Sequence, residues 1–418
     1  MKIISKTLAI SALVFNFSSC TYLKYLKVDP WYVGFRSDII TTPEIEKAIL
    51  AKASAGWTED GKIRVVYVKG TPYERGYQQG VLLRDEIQDN LGYLYERAVD
   101  TFHSAELFSE AYERMRPFIP QDYIDEMHGL AHGSKMPLHV IHAIHALPEL
   151  TEWGGKKKLK EIMIKMMDGE LATSCSNISV ADSCTPDGKM YTVRILDWGL
   201  HKISKLHQYP LLTVHKPDVG NSYVNIGWVG FLGAISGMND KGITLGEMGY
   251  GSPDNETFRG EPMPFLLRDV MAHASNLKDV RKIISSAPGT NSFVFLMSDG
   301  KTKEAELYVR DRDRFLVFNK GQDIKDTEEN IKGINDSVYG GHYNDKIGSN
   351  LEQYFGKITP EILMTKVIPD TAMKSNFQNV VYSPSDLTFW VNYAKDAGQR
   401  AAEQPYTFFD LKKALNGM

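Results

Sequence analysis

The sequence predicts an α+β protein in which a helical first part feeds a sheet-rich second part. Three observations carry that reading. Apolar residues recur at helical spacing over 73–95, short β-branched and aromatic runs separated by turns dominate after Ala172, and no segment repeats at a fixed period. The 418 residues are enough for one large α/β core or for two to three domains. With 43% apolar and 24% charged residues, the composition sets aside collagen-like, coiled-coil and low-complexity classes. Lys plus Arg number 48 against 52 for Asp plus Glu, so no global basic field exists to gather a nucleic acid, and none is expected as a partner.

Residues 1–20 read MKIISKTLAISALVFNFSSC, with Lys2 and Lys6 ahead of an apolar run too short to span a bilayer. This is the pattern of a secretory signal. Its end, Phe17-Ser18-Ser19-Cys20, resembles the lipobox of bacterial lipoproteins, in which the cysteine is acylated and becomes the mature N-terminus. The expectation is a protein of the bacterial cell envelope, outside the cytoplasm and held to a membrane through lipidated Cys20. An ordinary signal peptide with an incidental cysteine is the alternative. Residues 21–60 read as a tether with a short helix starting at Thr42-Pro43. The run IRVVYV at 63–68, closed by Gly70-Thr71-Pro72, reads as a strand and turn, and 61–174 as mostly helical.

From Cys175 onward the chain reads as the sheet-rich segment, 175–418. Its strand-like runs are CSNISVA, MYTVRILDW, LLTVH, YVNIGWVG, GITLGEM, SFVFLMS, EAELYV, RFLVF, VVYS and LTFWVNYA, with a helical stretch at about 265–285 between them. Three cysteines, Cys20, Cys175 and Cys184, are too few for a disulfide scaffold. Cys175 read alone is buried filler as readily as a nucleophile. The turn at Asp187-Gly188 and the return strand carry Arg194 and Asp197 back beside it, however. A cation near the sulfur favours thiolate, and a carboxylate can orient an amine or imidazole, as nucleophilic catalysis requires.

Those residues, with Gly70-Thr71-Pro72-Tyr73-Glu74-Arg75-Gly76, Met127-His128-Gly129-Leu130, Pro148-Glu149-Leu150-Thr151-Glu152, Gly227-Trp228-Val229-Gly230, Ser236-Gly237-Met238-Asn239-Asp240-Lys241-Gly242 and Val380-Val381-Tyr382-Ser383-Pro384, carry a resemblance. In order and spacing the chain is similar to the N-terminal nucleophile (Ntn) hydrolases of the isopenicillin N acyltransferase type, related to choloylglycine hydrolases and acid ceramidases. The resemblance implies a four-layer αββα sandwich of two antiparallel sheets. It also implies scission between Ser174 and Cys175, after which the freed α-amine of Cys175 serves as general base for its own thiol. An α-amine titrates near pH 7.7–8.0, close to working pH. By the same resemblance Asp197 holds the amine and Arg194 lies beside the sulfur. Choloylglycine hydrolases place an oxyanion asparagine where this chain has Leu245-Gly246-Glu247-Met248-Gly249-Tyr250, and none stands there; Asn291, just before a strand-like run, is the candidate for the second donor. Relatives tend to place glycine where this chain has Ser174.

The expected activity is that of a cysteine amidohydrolase or acyltransferase on a small amide, with no cofactor and no metal. Two other readings stay open: a catalytically silent envelope protein that binds a ligand on the same fold, and an uncleaved Cys-His hydrolase with His201, His207 or His215 as base. His128, His132, His139, His142 and His145 lie at helical spacings, yet without the His-Glu-x-x-His pattern they read as helix-surface residues rather than metal ligands.

Overall fold

A computed structural model describes residues 39–40, 42–152, 175–202, 204–249, 257–325 and 330–418. The expectations placed on the signal segment, Cys20 and Ser174 lie outside these residues. Among the described residues no helix is long and apolar enough to cross a membrane.

In chain order the first part holds α1 (Pro43–Leu50), β1 (Ser54–Trp57), β2 (Arg64–Gly70), α2 (Pro72–Leu82), α3 (Arg84–Phe102), α4 (Glu106–Met115), α5 (Gln121–Ser134) and α6 (Leu138–Glu152). Then come β3 (Ser176–Val180), β4 (Tyr191–Asp197), β5 (Pro210–Pro217), β6 (Tyr223–Trp228), β7 (Gly237–Asn239) and β8 (Ile243–Gly249). The rest comprises α7 (Met263–His273), α8 (Leu277–Ser286), β9 (Phe293–Asp299), β10 (Glu304–Arg310), β11 (Phe315–Asn319), β12 (Ser337–Gly341), α9 (Asn344–Gln353), β13 (Asn376–Ser383), β14 (Thr388–Tyr393) and β15 (Thr407–Asp410). Thr42 caps α1 as its Thr-Pro start predicts, and Thr71 and Glu74 close a reciprocal capping box on α2.

The strands form a nine-stranded sheet, ordered β1-β2-β5-β6-β7-β8-β9-β10-β11, and a six-stranded sheet, ordered β12-β3-β4-β13-β14-β15. The two stack, with β3 and β4 over β8 and β9. Helices α7 and α8 pack on the large sheet, while α9 and the helical turns at 363–371 cover the small one. This is the α+β, four-layer arrangement. One detail departs from the expectation of two purely antiparallel sheets: β2 runs parallel to β5, pairing Arg64 with Leu211 through Gly70 with Pro217. A parallel neighbour requires a long crossover, and the helices α2–α6 lie within that crossover. The helical stretch near 265–285 is two helices, split before the cap at Asn276.

The seam between the sheets carries polar contacts along its length. Thr192 donates to Ser298 at 3.0 Å, Ser298 to Ser179 at 3.2 Å, and Ser236 to Gln378 at 2.6 Å. Outside that seam the layers are apolar. One large cluster joins the first-part helices to the large sheet, and a second gathers Ile178, Val180, Val193 and Ile195 with Ile347, Leu351, Leu363 and Val367.

The tightest helix contact is α2 on α5, where both helices present glycine. A Cβ on Gly76 would sit 2.0 Å from the Glu126 carbonyl oxygen, and one on Gly129 would sit 2.1 Å from that of Tyr73. The close approach lets Glu126 meet two arginines in the interior, Arg75 at 3.2 Å and Arg268 of α7 at 3.0 Å. Gly76→Ala or Gly129→Ala is therefore expected to lower stability by about 1–3 kcal/mol or more through overpacking. Gly92→Ala, in open space on α3, should be neutral or raise it by roughly 0.5–1 kcal/mol. Thermal unfolding of the three variants checks this; equal midpoints for Gly76→Ala and Gly92→Ala would contradict the packing argument.

Candidate active site

The hairpin expected from Asp187-Gly188 forms, pairing Ser176 with Ile195 and Asn177 with Arg194. Cys175 therefore sits at the mouth of β3, and Asp197 ends β4 beside it. Cys175, Asp197 and Glu247 line one narrow cleft, walled by Pro148 and Thr151 of α6 and by Trp198, Ile235 and Met263.

Arg194 is fully buried. Its Nη2 donates to Glu247 Oε1 at 2.6 Å across the sheets, and its Nη1 donates to the Ile195 carbonyl at 3.1 Å. Gly246 makes room for this crossing, because a Cβ there would meet Asn177 Oδ1 at 2.1 Å and Arg194 Cδ at 3.4 Å. The guanidinium also reaches the Cys175 thiol. From sequence, this cation is expected to favour thiolate. Burial outweighs it, with Glu247 and Asp197 adding negative charge, and the thiol is pushed up to about 12. In the uncleaved chain Cys175 is thus a protonated thiol at neutral pH and needs a base.

Asp197 is buried as well. Its Oδ1 accepts from Asn376 Nδ2 at 2.9 Å and from the Met373 amide at 3.2 Å, while Oδ2 has no partner among the described residues. Burial, opposed by those two hydrogen bonds and by Arg194, raises the carboxyl to about 7. A register shift in β13 between Asn376 and Gln378 turns the Asn376 amide onto Asp197.

Asn291 is not available as expected. Its Nδ2 donates to Glu149 Oε2 at 2.6 Å and to the Glu149 carbonyl at 3.0 Å, so its amide hydrogens hold α6 rather than face the thiol. Glu149 Oε1 in turn accepts from the Met263 amide at 2.6 Å. Asn291 is a strut behind the cleft wall.

The Cys-His alternative finds no support, since none of His201, His207 and His215 lines the cleft. His201 stacks on Phe377, its Nδ1 lies 3.3 Å from the Trp198 carbonyl, and burial lowers it to about 4. Burial likewise keeps His215 neutral, stacked on Tyr223. Of the helix histidines, His145 is a buried tie: its Nε2 accepts from the Leu232 amide at 2.8 Å, and its Nδ1 reaches the Ile141 carbonyl at 2.7 Å.

Sequence reasoning missed Glu247, Asn376 and the strut role of Glu149. A signal existed for the first: a carboxylate in the middle of the apolar run GITLGEM is costly unless paired.

Residues 184–353 match the model of the acyl-coenzyme A:6-aminopenicillanic acid acyl-transferase family. The resemblance read from the sequence is shown over this stretch, which holds Arg194, Asp197, Glu247 and Asn291 and begins after Cys175. The chain is 23% identical over 272 residues to Protein dcd1A of Dictyostelium discoideum, covering 58% of this chain and 57% of that protein. It is also 23% identical over 267 residues to an uncharacterized protein of Archaeoglobus fulgidus, covering 57% and 42%. The chain thus spans about half the length of the curated relatives it matches. Among solved structures it is similar to a Caenorhabditis elegans N-acylethanolamine-hydrolyzing acid amidase ortholog, with TM-score 0.38 and 13% identity over 50% of this chain and 93% of that one. A mutant of conjugated bile acid hydrolase from Clostridium perfringens gives TM-score 0.36 and 10% identity over 57% and 93%.

The buried carboxyl makes stability depend on pH with a definite sign. An acid whose pKa rises from 3.8 unfolded to about 7 folded favours the folded state below pH 3.8, and this contribution is lost as pH rises through about 7. With Cys175→Ala in both proteins to keep the chain whole, Asp197→Asn should gain thermal stability over the parent from pH 5 upward, the gap widening to about pH 7 and levelling off above it. A gap independent of pH would show that Asp197 does not titrate in that window.

Proposed function

We propose that the chain is a cysteine amidohydrolase or acyltransferase of the Ntn type, which cuts itself before Cys175 and acts on a small amide through a thioester on that residue. The observation that carries the reading is the unspent Oδ2 of buried Asp197 beside Cys175. That acceptor suits the α-ammonium that scission would create, while Oδ1 is already held by Asn376 and Met373.

In the first stage the Cys175 sulfur adds to the carbonyl of residue 174, the Cys175 nitrogen leaves as an amine, and water opens the resulting ester of the thiol. In the second stage that amine takes the thiol proton, sulfur attacks the substrate carbonyl, and the α-ammonium returns the proton to the departing amine. Arg194, charge-balanced by Glu247, lies against the sulfur throughout. The mostly apolar cleft walls, Pro148, Leu196, Trp198, Ile235 and Met263, suit an apolar acyl group. From the lipobox-like end of the first segment, Phe17-Ser18-Ser19-Cys20, we further propose a bacterial envelope protein tethered through acylated Cys20.

Intact mass of the purified protein beside its Cys175→Ala variant tests the reading. The expected result is two associated fragments, the second beginning at Cys175, against one uncut and inactive chain. Two single chains would remove the amine base. The silent-binder reading draws on the engaged Asn291 amide; it predicts that a thiol-directed electrophile labels Cys175 no faster than buried Cys184.

A further inference from the structure

The cleft holds acceptors in plenty and few donors. Asp197 and Glu247 offer carboxylates, Thr151 spends its hydroxyl on the Pro148 carbonyl at 2.9 Å, and the Met263 amide is taken by Glu149. Of the nearby amides, Asn291 and Asn376 are committed to Glu149 and Asp197, and Asn177, whose amide has no partner among the described residues, does not line the cleft. A thioester mechanism nonetheless needs a donor for the oxygen that becomes negative when sulfur adds to a carbonyl.

Trp198 meets that need. It follows Asp197 directly, lines the cleft with Cys175, and is 6% exposed, and its Nε1 has no hydrogen-bond partner among the described residues. An indole N–H is a donor only, so it cannot be satisfied by turning to accept. The ring is held at the end of β4 by Trp228, whose centroid lies 5.7 Å away. Such a donor, fixed in a mostly apolar cleft, needs no reorganisation when charge develops.

Resting on the Ntn reading above, we propose that Trp198 is a catalytic residue whose indole N–H donates to the substrate carbonyl oxygen and holds it as an oxyanion. As the sulfur–carbon bond forms, the carbonyl π pair moves to oxygen and meets this N–H, while the thiol proton passes to the α-amine. When the pair returns, the carbon–nitrogen bond breaks and the leaving amine takes the proton back.

The test compares wild type with Trp198→Phe, which keeps an aromatic ring and loses the donor. Two probes are used on the full chain. Acylation of Cys175 by p-nitrophenyl hexanoate passes through an oxyanion; alkylation by iodoacetamide does not. The expected result is an acylation rate lower by roughly 100-fold, a half-saturating ester concentration within threefold, and an unchanged alkylation rate at Cys175. Equal acylation rates in the two proteins overturn the proposal while leaving the Ntn reading intact. A wild type that neither acylates nor alkylates at Cys175 ends both. Should Trp198→Phe fail to fold by circular dichroism, 3-benzothienylalanine at position 198, which puts sulfur in place of the N–H in the same outline, gives the same comparison.

Discussion

The Arg194–Glu247 ion pair is the constraint on which the rest of the site depends. Both groups are buried between the sheets, and removing two charges from water costs several kcal/mol per ion before their attraction is counted. A buried pair is therefore weak as a source of stability. What it fixes is position: β4 must lie over β8 with Arg194 above Glu247, and Gly246 must be small enough to let Asn177 pass. Once that crossing is set, Cys175 comes to the mouth of β3 and Asp197 to the end of β4. Burial keeps the thiol protonated until a base is present, and Glu247 adds to this by sharing the guanidinium charge that would otherwise favour thiolate.

Around this pair the sheets meet through directional contacts. Most sandwiches interdigitate apolar side chains between their inner faces. Here hydroxyls and amides from Ser179, Thr192, Ser236, Ser298 and Gln378 join across the seam. A hydrogen bond misplaced by one register step leaves two buried groups unpaired, whereas an apolar contact merely repacks. The seam thus specifies the alignment of the two sheets more sharply than hydrophobic burial could.

Much of this was legible in the sequence, and the gaps have physical causes. Runs such as SFVFLMS and LTFWVNYA announce strands because β-branched and aromatic residues suit a pleated surface. The hairpin uniting Cys175, Arg194 and Asp197 is a local event, readable from one turn. Ser337–Gly341 was not readable: Ser-Val-Tyr-Gly-Gly has no alternation, and the segment is a strand only because β3 offers it an edge. Glu247 and Asn376 join the site from other parts of the chain, through sheet stacking and a bulge, and no short-range pattern encodes either. The position of Asn291 just before a strand-like run suggests a place near the cleft. It is near, but its amide is drawn to Glu149, a pairing between residues far apart in sequence.

The parallel pairing of β2 with β5 has a consequence for a chain cut before Cys175. β2 precedes that bond and β5 follows it, yet they share one hydrogen-bonded ladder. The two pieces would share a single sheet, two strands from the first and seven from the second, and would not be a mature body and a discarded leader. Neither could bury its own side of the ladder alone, so the parts would behave as mutually dependent subunits encoded in one reading frame. An N-terminal piece from one molecule and a C-terminal piece from another could then reconstitute a working whole by complementation.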